Sequence, residues 1–161
     1  MRFSAIAVTA RSGWSAAGAL LGVAILLAGN PAHAALGAGE ASIESDRVQS
    51  GARLTRVPHA AFSVHELSTG TGGVVREYVS PAGVVFAVSW HSFAMPNLKQ
   101  ILGAQYPTLL GSSKRQAGGR GHLAVTAGPL VFESNGRMRA FHGRAYLSTA
   151  IPAGVSTDDI Q

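Results

Sequence analysis

Residues Val74 to Trp90 read VVREYVSPAGVVFAVSW, and this stretch limits the fold more than any other. Two runs rich in β-branched and aromatic residues flank Ser80-Pro81-Ala82-Gly83. Proline presets φ near about −65° and glycine accepts a positive φ, so the four residues form a tight turn. The expectation is an antiparallel hairpin with strands over 74–79 and 84–91. A bulge at Gly83 sets Ser80 against Val84, and counting back places Tyr78 opposite Phe86, Arg76 opposite Val88 and Val74 opposite Trp90. Glu77 then faces Ala87, and Val75 faces Ser89. Partners across a ladder share one side of the sheet. Arg76, Tyr78, Phe86 and Trp90 are therefore expected on one face, and Glu77, Ser89 and His91 on the other. The neighbours Arg76 and Glu77 point apart and do not form a dyad.

The surrounding chain extends this hairpin. Phe62 to Leu67 (FSVHEL) reads as a preceding strand, giving a three-stranded meander. Leu98, Ile101 and Leu102 repeat at helical spacing after Met95-Pro96-Asn97, and Gly103 ends that helix. A second short turn runs from Tyr106 to Leu110. Three further strands are expected: His122 to Thr126, Leu130 to Ser134, and Arg137 to Leu147. The last two are joined by an Asn135-Gly136 hairpin turn, with Gly143 a candidate bulge. A short N-terminal helix lies within Gly39 to Leu54 and stops at Gly51. The fold class is α+β with an antiparallel sheet, because nearly every strand connection is too short for a parallel crossover. The strand-rich core covers about 60–149, and 150–161 is an extended tail.

The first 34 residues have the features of an export signal. Arg2 and Arg11 precede the uncharged run Ala16 to Gly29, and Ala32-His33-Ala34 is an A-x-A cleavage pattern after Pro31. Cleavage between Ala34 and Ala35 leaves a single exported domain over 35–161, without a second run of membrane length. The expected location is periplasmic or secreted. Of 13 basic residues against 8 acidic, Arg2 and Arg11 leave with the signal. Lys114, Arg115 and Arg120 lie in a Gly/Ser-rich loop, so nucleic acid is not an expected partner. With no cysteine, disulfides and thiolate metal sites are excluded.

The remaining chemistry is sparse. His59, His65, His91, His122 and His142 lack metal-ligand spacing, so neither a metal nor another cofactor is expected. No G-x-S-x-G elbow occurs, and the glycines of GTGG and GGRG do not open a phosphate-cradling helix. Glu66, Glu77 and Glu133, the carboxylates available for glycoside chemistry, sit on separate strands. Two candidate sites remain. The first is the aromatic face, Arg76 with Tyr78, Phe86 and Trp90, where the plain reading is a guanidinium lying along ring surface and the functional reading is an anion-binding arginine. The second pairs Glu77 with His91. The leading expectation is a non-enzymatic binding or envelope-interaction domain with a periplasmic or envelope partner. The alternatives are a periplasmic hydrolase using strand-borne Glu and His, or a subunit of an envelope assembly.

Taken together, the segments AHAALG, SIESDR, VHEL, VVREYVSPAGVVFAVSW, RAFHGRAYL and PAGVSTDDI resemble a bacterial exported family catalogued as Domain of Unknown Function 2844. The likeness spans nearly the whole mature chain, and REYVSPAG with VFAVSW is its most specific block. It implies secretion and one domain, and brings no activity, ligand or catalytic residue with it.

Overall fold

The computed structural model describes residues 36–113 and 121–161. The expected export signal, with its expected Ala34–Ala35 cleavage point, and the Lys114, Arg115 and Arg120 cluster lie outside the described residues.

Seven antiparallel strands form one sheet: β1 (Arg53–Pro58), β2 (Ser63–Ser68), β3 (Val74–Val79), β4 (Val85–Ser92), β5 (His122–Ala127), β6 (Leu130–Arg137) and β7 (Ala140–Leu147). Their order is β1-β2-β3-β4-β7-β6-β5. Two meanders therefore meet where β7 pairs with β4. The first has four strands rather than three, because β1 precedes the strands expected from sequence. Its RLTRVP run is mostly exposed, so it carries little hydrophobic alternation to reveal it. Pro58 is tolerated because β1 is an edge strand.

Helices cover one face. The first, α1 (Ala41–Ser50), ends at Gly51, whose φ of 61° lets its N–H reach the Arg47 and Val48 carbonyls. After β4 come α2 (Leu98–Leu102), capped by the Asn97 side chain, a 3₁₀ turn over Gly103–Gln105, and α3 (Tyr106–Ser113). Ile43, Ile101, Leu102 and Leu109 from these helices join Val79, Val85, Val88, Trp90, Phe132 and Ala145 in the larger core. Each fully buried large apolar side chain there contributes about 1.5–3 kcal/mol. The other face is covered by the tail. Ile151 and Val155 pack with buried Ile160 against Val64, Tyr78, Phe86 and Ala87. A short 3₁₀ helix over Thr157–Asp159, closed by a Ser156–Asp159 capping box, shapes this third layer.

Three local expectations need correction. The Ser80–Val84 closure is present, with Ser80 N–H donating to Val84 O at 2.9 Å and Gly83 at φ 75°. The ladder then slips between Tyr78 and Val79, so that Val79 faces Val85 but Tyr78 faces Ala87. Phe86 is the extra residue of this bulge, and every pair beyond it moves by one: Glu77 faces Val88, Arg76 faces Ser89, Val75 faces Trp90 and Val74 faces His91. The slip lets Phe86 enter the tail-side core with Tyr78 while Val85 and Val88 both reach the helix side. Packing on both faces sets the register, and turn chemistry alone does not.

The β6–β7 turn falls at Met138-Arg139 rather than at Asn135-Gly136, since Asn135 pairs with His142 and Arg137 with Ala140. The later turn sets Phe132 against Ala145 and Glu133 against Arg144, a burial and an ion pair that outweigh local turn preference. Gly143 is no bulge. It pairs directly with Trp90, and a Cβ there would collide with the Trp90 ring and lie 2.5 Å from the Glu133 carbonyl.

Candidate functional site

The corrected register builds a polar row across the middle of the tail-covered face. Glu66 faces Arg76, Arg76 faces Ser89, Ser89 faces Arg144, and Arg144 faces Glu133. Each arginine is tied to its carboxylate: Arg76 Nε to Glu66 Oε2 at 2.9 Å and Arg144 Nε to Glu133 Oε2 at 2.8 Å. Both pairs are half-exposed, so their weight lies in orienting the guanidinium groups rather than in stability.

The oriented groups hold the tail. Arg76 Nη1, Tyr78 OH and Ser89 Oγ all donate to the Gln161 oxygen, at 3.1, 2.7 and 2.7 Å. The Tyr78 hydroxyl in turn accepts from Gln161 N–H at 2.8 Å. Arg144 Nη1 donates to the Thr157 carbonyl at 2.8 Å, and its guanidinium lies 6.0 Å from the Tyr146 ring centre. Three donors from neighbouring strands thus converge on one oxygen, a geometry that suits a carbonyl or a carboxylate.

Beside this clamp lies a cavity of about 350 Å³, bounded by Arg76, Ser89, His91, Asn135, His142 and Arg144. Arg76 and Gln161 also border a second, wider groove of about 710 Å³ on the other side of the tail. Among the described residues, no group of three or more His, Asp or Glu side chains is arranged to hold a metal ion.

The aromatic site expected from sequence is divided between the two faces. Arg76, Tyr78 and Phe86 belong to the tail side, with Tyr78 and Phe86 ring centres 6.2 Å apart. Trp90 turns to the helix side, where its ring lies 5.6 Å from Phe132. It is buried there, and its indole N–H finds no partner among the described residues.

The Glu77–His91 pair does not form. The slip puts exposed His91 in the row of Val74 and His142, whereas Glu77 is buried on the opposite face beside Val88. Glu77 instead faces His65 across β2 and β3, under α1. Burial first, and then the negative charge of Asp46, push the Glu77 carboxyl up to about 8. Burial, with repulsion from Arg56, pushes the His65 imidazole down, and Glu40 opposes that shift. His65 Nε2 lies 3.3 Å from Ser63 Oγ and 3.6 Å from Glu40 Oε1.

Ser89 and Arg144 are the site residues that sequence reasoning missed. The shifted register hides Ser89, and the misplaced Asn-Gly turn hides the Glu133–Arg144 match. That opposite-charge pair on neighbouring strands was the available signal.

A family model described as a protein of unknown function, DUF2844, matches residues 32–160. The chain belongs to this family. The match ends at Ile160, so it takes in the row, the buried Glu77–His65 position and nearly all of the tail. No curated protein and no solved structure matches the chain.

Proposed function

We propose that this DUF2844 protein is a non-enzymatic binding domain for a small carboxylate or similar anion, held on the tail-covered face. One observation carries the reading: Arg76, Tyr78 and Ser89 converge on a single oxygen, with Arg144 next along the row. The Gln161 oxygen is the internal stand-in for the ligand's oxygen, and the adjoining cavity takes the rest of the ligand. About 350 Å³ falls within the range of small-molecule sites. Two arginines, Arg76 and Arg144, border it, and Glu133, the one carboxylate side chain among the described residues there, is tied to Arg144, which favours an anion over a cation. A hydrolase built on Glu77 and His91 loses its basis, since those side chains lie on opposite faces of the sheet.

We also infer export, with the domain starting near Ala35 and working in the periplasm or outside the cell. This rests on the charged start, apolar run and A-x-A pattern of the first 34 residues. Mass spectrometry of protein recovered from an expressing cell checks it. A mass beginning at Ala35 supports export, and an intact Met1 chain confined to the cytoplasm defeats it.

The binding reading is tested by titrating acetate, succinate and inorganic phosphate while following arginine Nε–H resonances. The expected result is a saturable shift at Arg76 and Arg144 with at least one anion. Acetamide should produce none, and Arg144→Gln should weaken binding by roughly tenfold or more, as loss of a charge-assisted bond implies. Equal response to acetamide, or no saturation with any anion, defeats the proposal.

A further inference from the structure

The row formed by Val74, His91, His142, Asn135 and His122 lies near one end of the sheet, with only the Ser92–Phe141, Gly136–Phe141 and Arg137–Ala140 pairs beyond it. Beyond it, on the same end of the sheet, come the connections 69–73 and 93–97 and the Met138-Arg139 turn. Three large apolar side chains stand exposed there: Met138 at 92%, Phe93 at 61% and Met95 at 47%. Arg137 and Arg139 flank Met138, and Arg53 starts the edge strand at this end; all three are exposed. None of the eight acidic residues of the chain belongs to this end. Glu40, Glu44 and Asp46 lie on or just before α1, Glu66, Glu77 and Glu133 lie within strands, and Asp158 and Asp159 lie in the tail. Among the described residues, the turns of the opposite end at 59–62, 80–84 and 128–129 contain neither arginine nor lysine.

Arg139 adds an independent observation. It is the one non-glycine residue with positive φ among the described residues, at 64°. A bulky residue in the left-handed region is uncommon and costs backbone energy. Strain retained at an exposed tip is a pointer to function. Here it sets a guanidinium beside an almost wholly exposed methionine.

We infer that this end of the sheet docks onto an anionic lipid surface. Met138 and Phe93 enter the interface, while Arg137 and Arg139 meet headgroup phosphates. A lipid surface fits better than a protein pocket because Met138 stands on a different loop from Phe93 and Met95, each exposed on its own. A bilayer interface accepts such isolated points, each gaining from apolar burial and from nearby positive charge.

The absence of cysteine makes a site-specific test direct. Met138→Cys in the full chain is labelled with an environment-sensitive fluorophore, and Ala82→Cys, at the opposite end, serves as control. Vesicles of phosphatidylglycerol and phosphatidylethanolamine are compared with phosphatidylcholine vesicles at low and high salt. The label at 138 is expected to shift to the blue with anionic vesicles at low salt and to return towards its aqueous spectrum at high salt. The label at 82 should stay aqueous throughout. Adding Arg137→Gln and Arg139→Asn to the labelled Met138→Cys chain should lower partitioning by roughly tenfold or more, each arginine near an anionic surface being worth about fivefold. The inference is overturned by any of four results: an aqueous label at 138 with anionic vesicles, an equal shift at 82, an equal shift with phosphatidylcholine, or a shift with detergent-solubilised envelope protein but not with vesicles. The last would make the partner a protein.

Discussion

Beneath the helices, Glu77, His65 and Trp90 each keep a buried polar atom without a hydrogen-bond partner among the described residues. Beneath the tail, Arg76, Tyr78, Ser89 and Arg144 all meet a carboxylate or a backbone oxygen. The two faces thus divide the work. The helix side carries most of the apolar burial and tolerates polar groups whose demands go unmet, which makes it sensitive to pH. The tail side buries less, but its polar groups are aimed and satisfied. Oriented donors of that kind suit recognition.

Removing apolar volume from each side in turn tests most strongly whether the two faces are separate. Phe132→Ala on the helix side should destabilise the protein by about 3–5 kcal/mol, as for other buried aromatic truncations. Ile160→Ala on the tail side should cost about 2 kcal/mol, and mainly through release of the tail. Chemical denaturation gives the totals, and hydrogen exchange locates them: faster exchange over 155–161 with β3 and β4 still protected is expected for Ile160→Ala. Loss of protection across the whole sheet in both variants would mean that the faces form one cooperative unit and that the division is wrong.

A smaller effect separates the faces by pH. Because the folded carboxyl of Glu77 is raised to about 8 from the ordinary 4.5, the folded state binds its proton more tightly than the unfolded chain does. Its contribution is therefore fully present below about pH 4.5 and is lost as pH rises through about 8. Each unit of pKa difference corresponds to about 1.4 kcal/mol, so the alkaline loss amounts to a few kcal/mol at most. His65 acts in the opposite sense. Its folded pKa is depressed, so the folded state disfavours the proton and stability falls as pH drops below the usual histidine range. Glu77→Gln should flatten the fall in stability between about pH 4.5 and 8. A variant that keeps the wild-type slope in that range would show that Glu77 is not its source.

The antiparallel sheet and most of its strands were legible, because alternation and β-branching mark β2 to β7 and turn residues agree with them at the β2–β3, β3–β4 and β5–β6 connections, though not at β6–β7. The end of α1 and the bounds of α2 were legible for the same kind of reason, since Gly51, Asn97 and Gly103 occupy terminal positions through local backbone chemistry, whereas α3 runs to Ser113, past the short turn expected over 106–110. What escaped depends on contacts far apart in sequence. The bulge at Phe86 is set by two cores, one on each face, and a one-residue slip reassigned Trp90, Ser89 and His91 together. β1 escaped because an exposed edge strand needs little apolar patterning. In the candidate site, Arg76 and Tyr78 were found from the hairpin itself. Ser89, Arg144 and the two tail oxygens they hold, of Gln161 and Thr157, required the true register and a tail folded back onto the sheet.

The smallest expected effect concerns the turn on which both faces act. Phe132 against Ala145 serves the helix side and Glu133 against Arg144 serves the tail side, and both demands fix β6–β7 so that Arg139 must take φ 64°. A non-glycine residue in this region costs roughly 1 kcal/mol or somewhat more, and glycine relieves most of it while adding unfolded-state entropy. Arg139→Gly should therefore raise stability by about 0.5–1 kcal/mol in denaturant melts. The register should stay unchanged, with Glu133 and Arg144 still paired. If stability instead falls, the Arg139 side chain contributes more to the fold than its strained backbone costs. If the turn moves back to Asn135-Gly136 and the Glu133–Arg144 pair is lost, local turn preference outweighs the joint demand of the two faces.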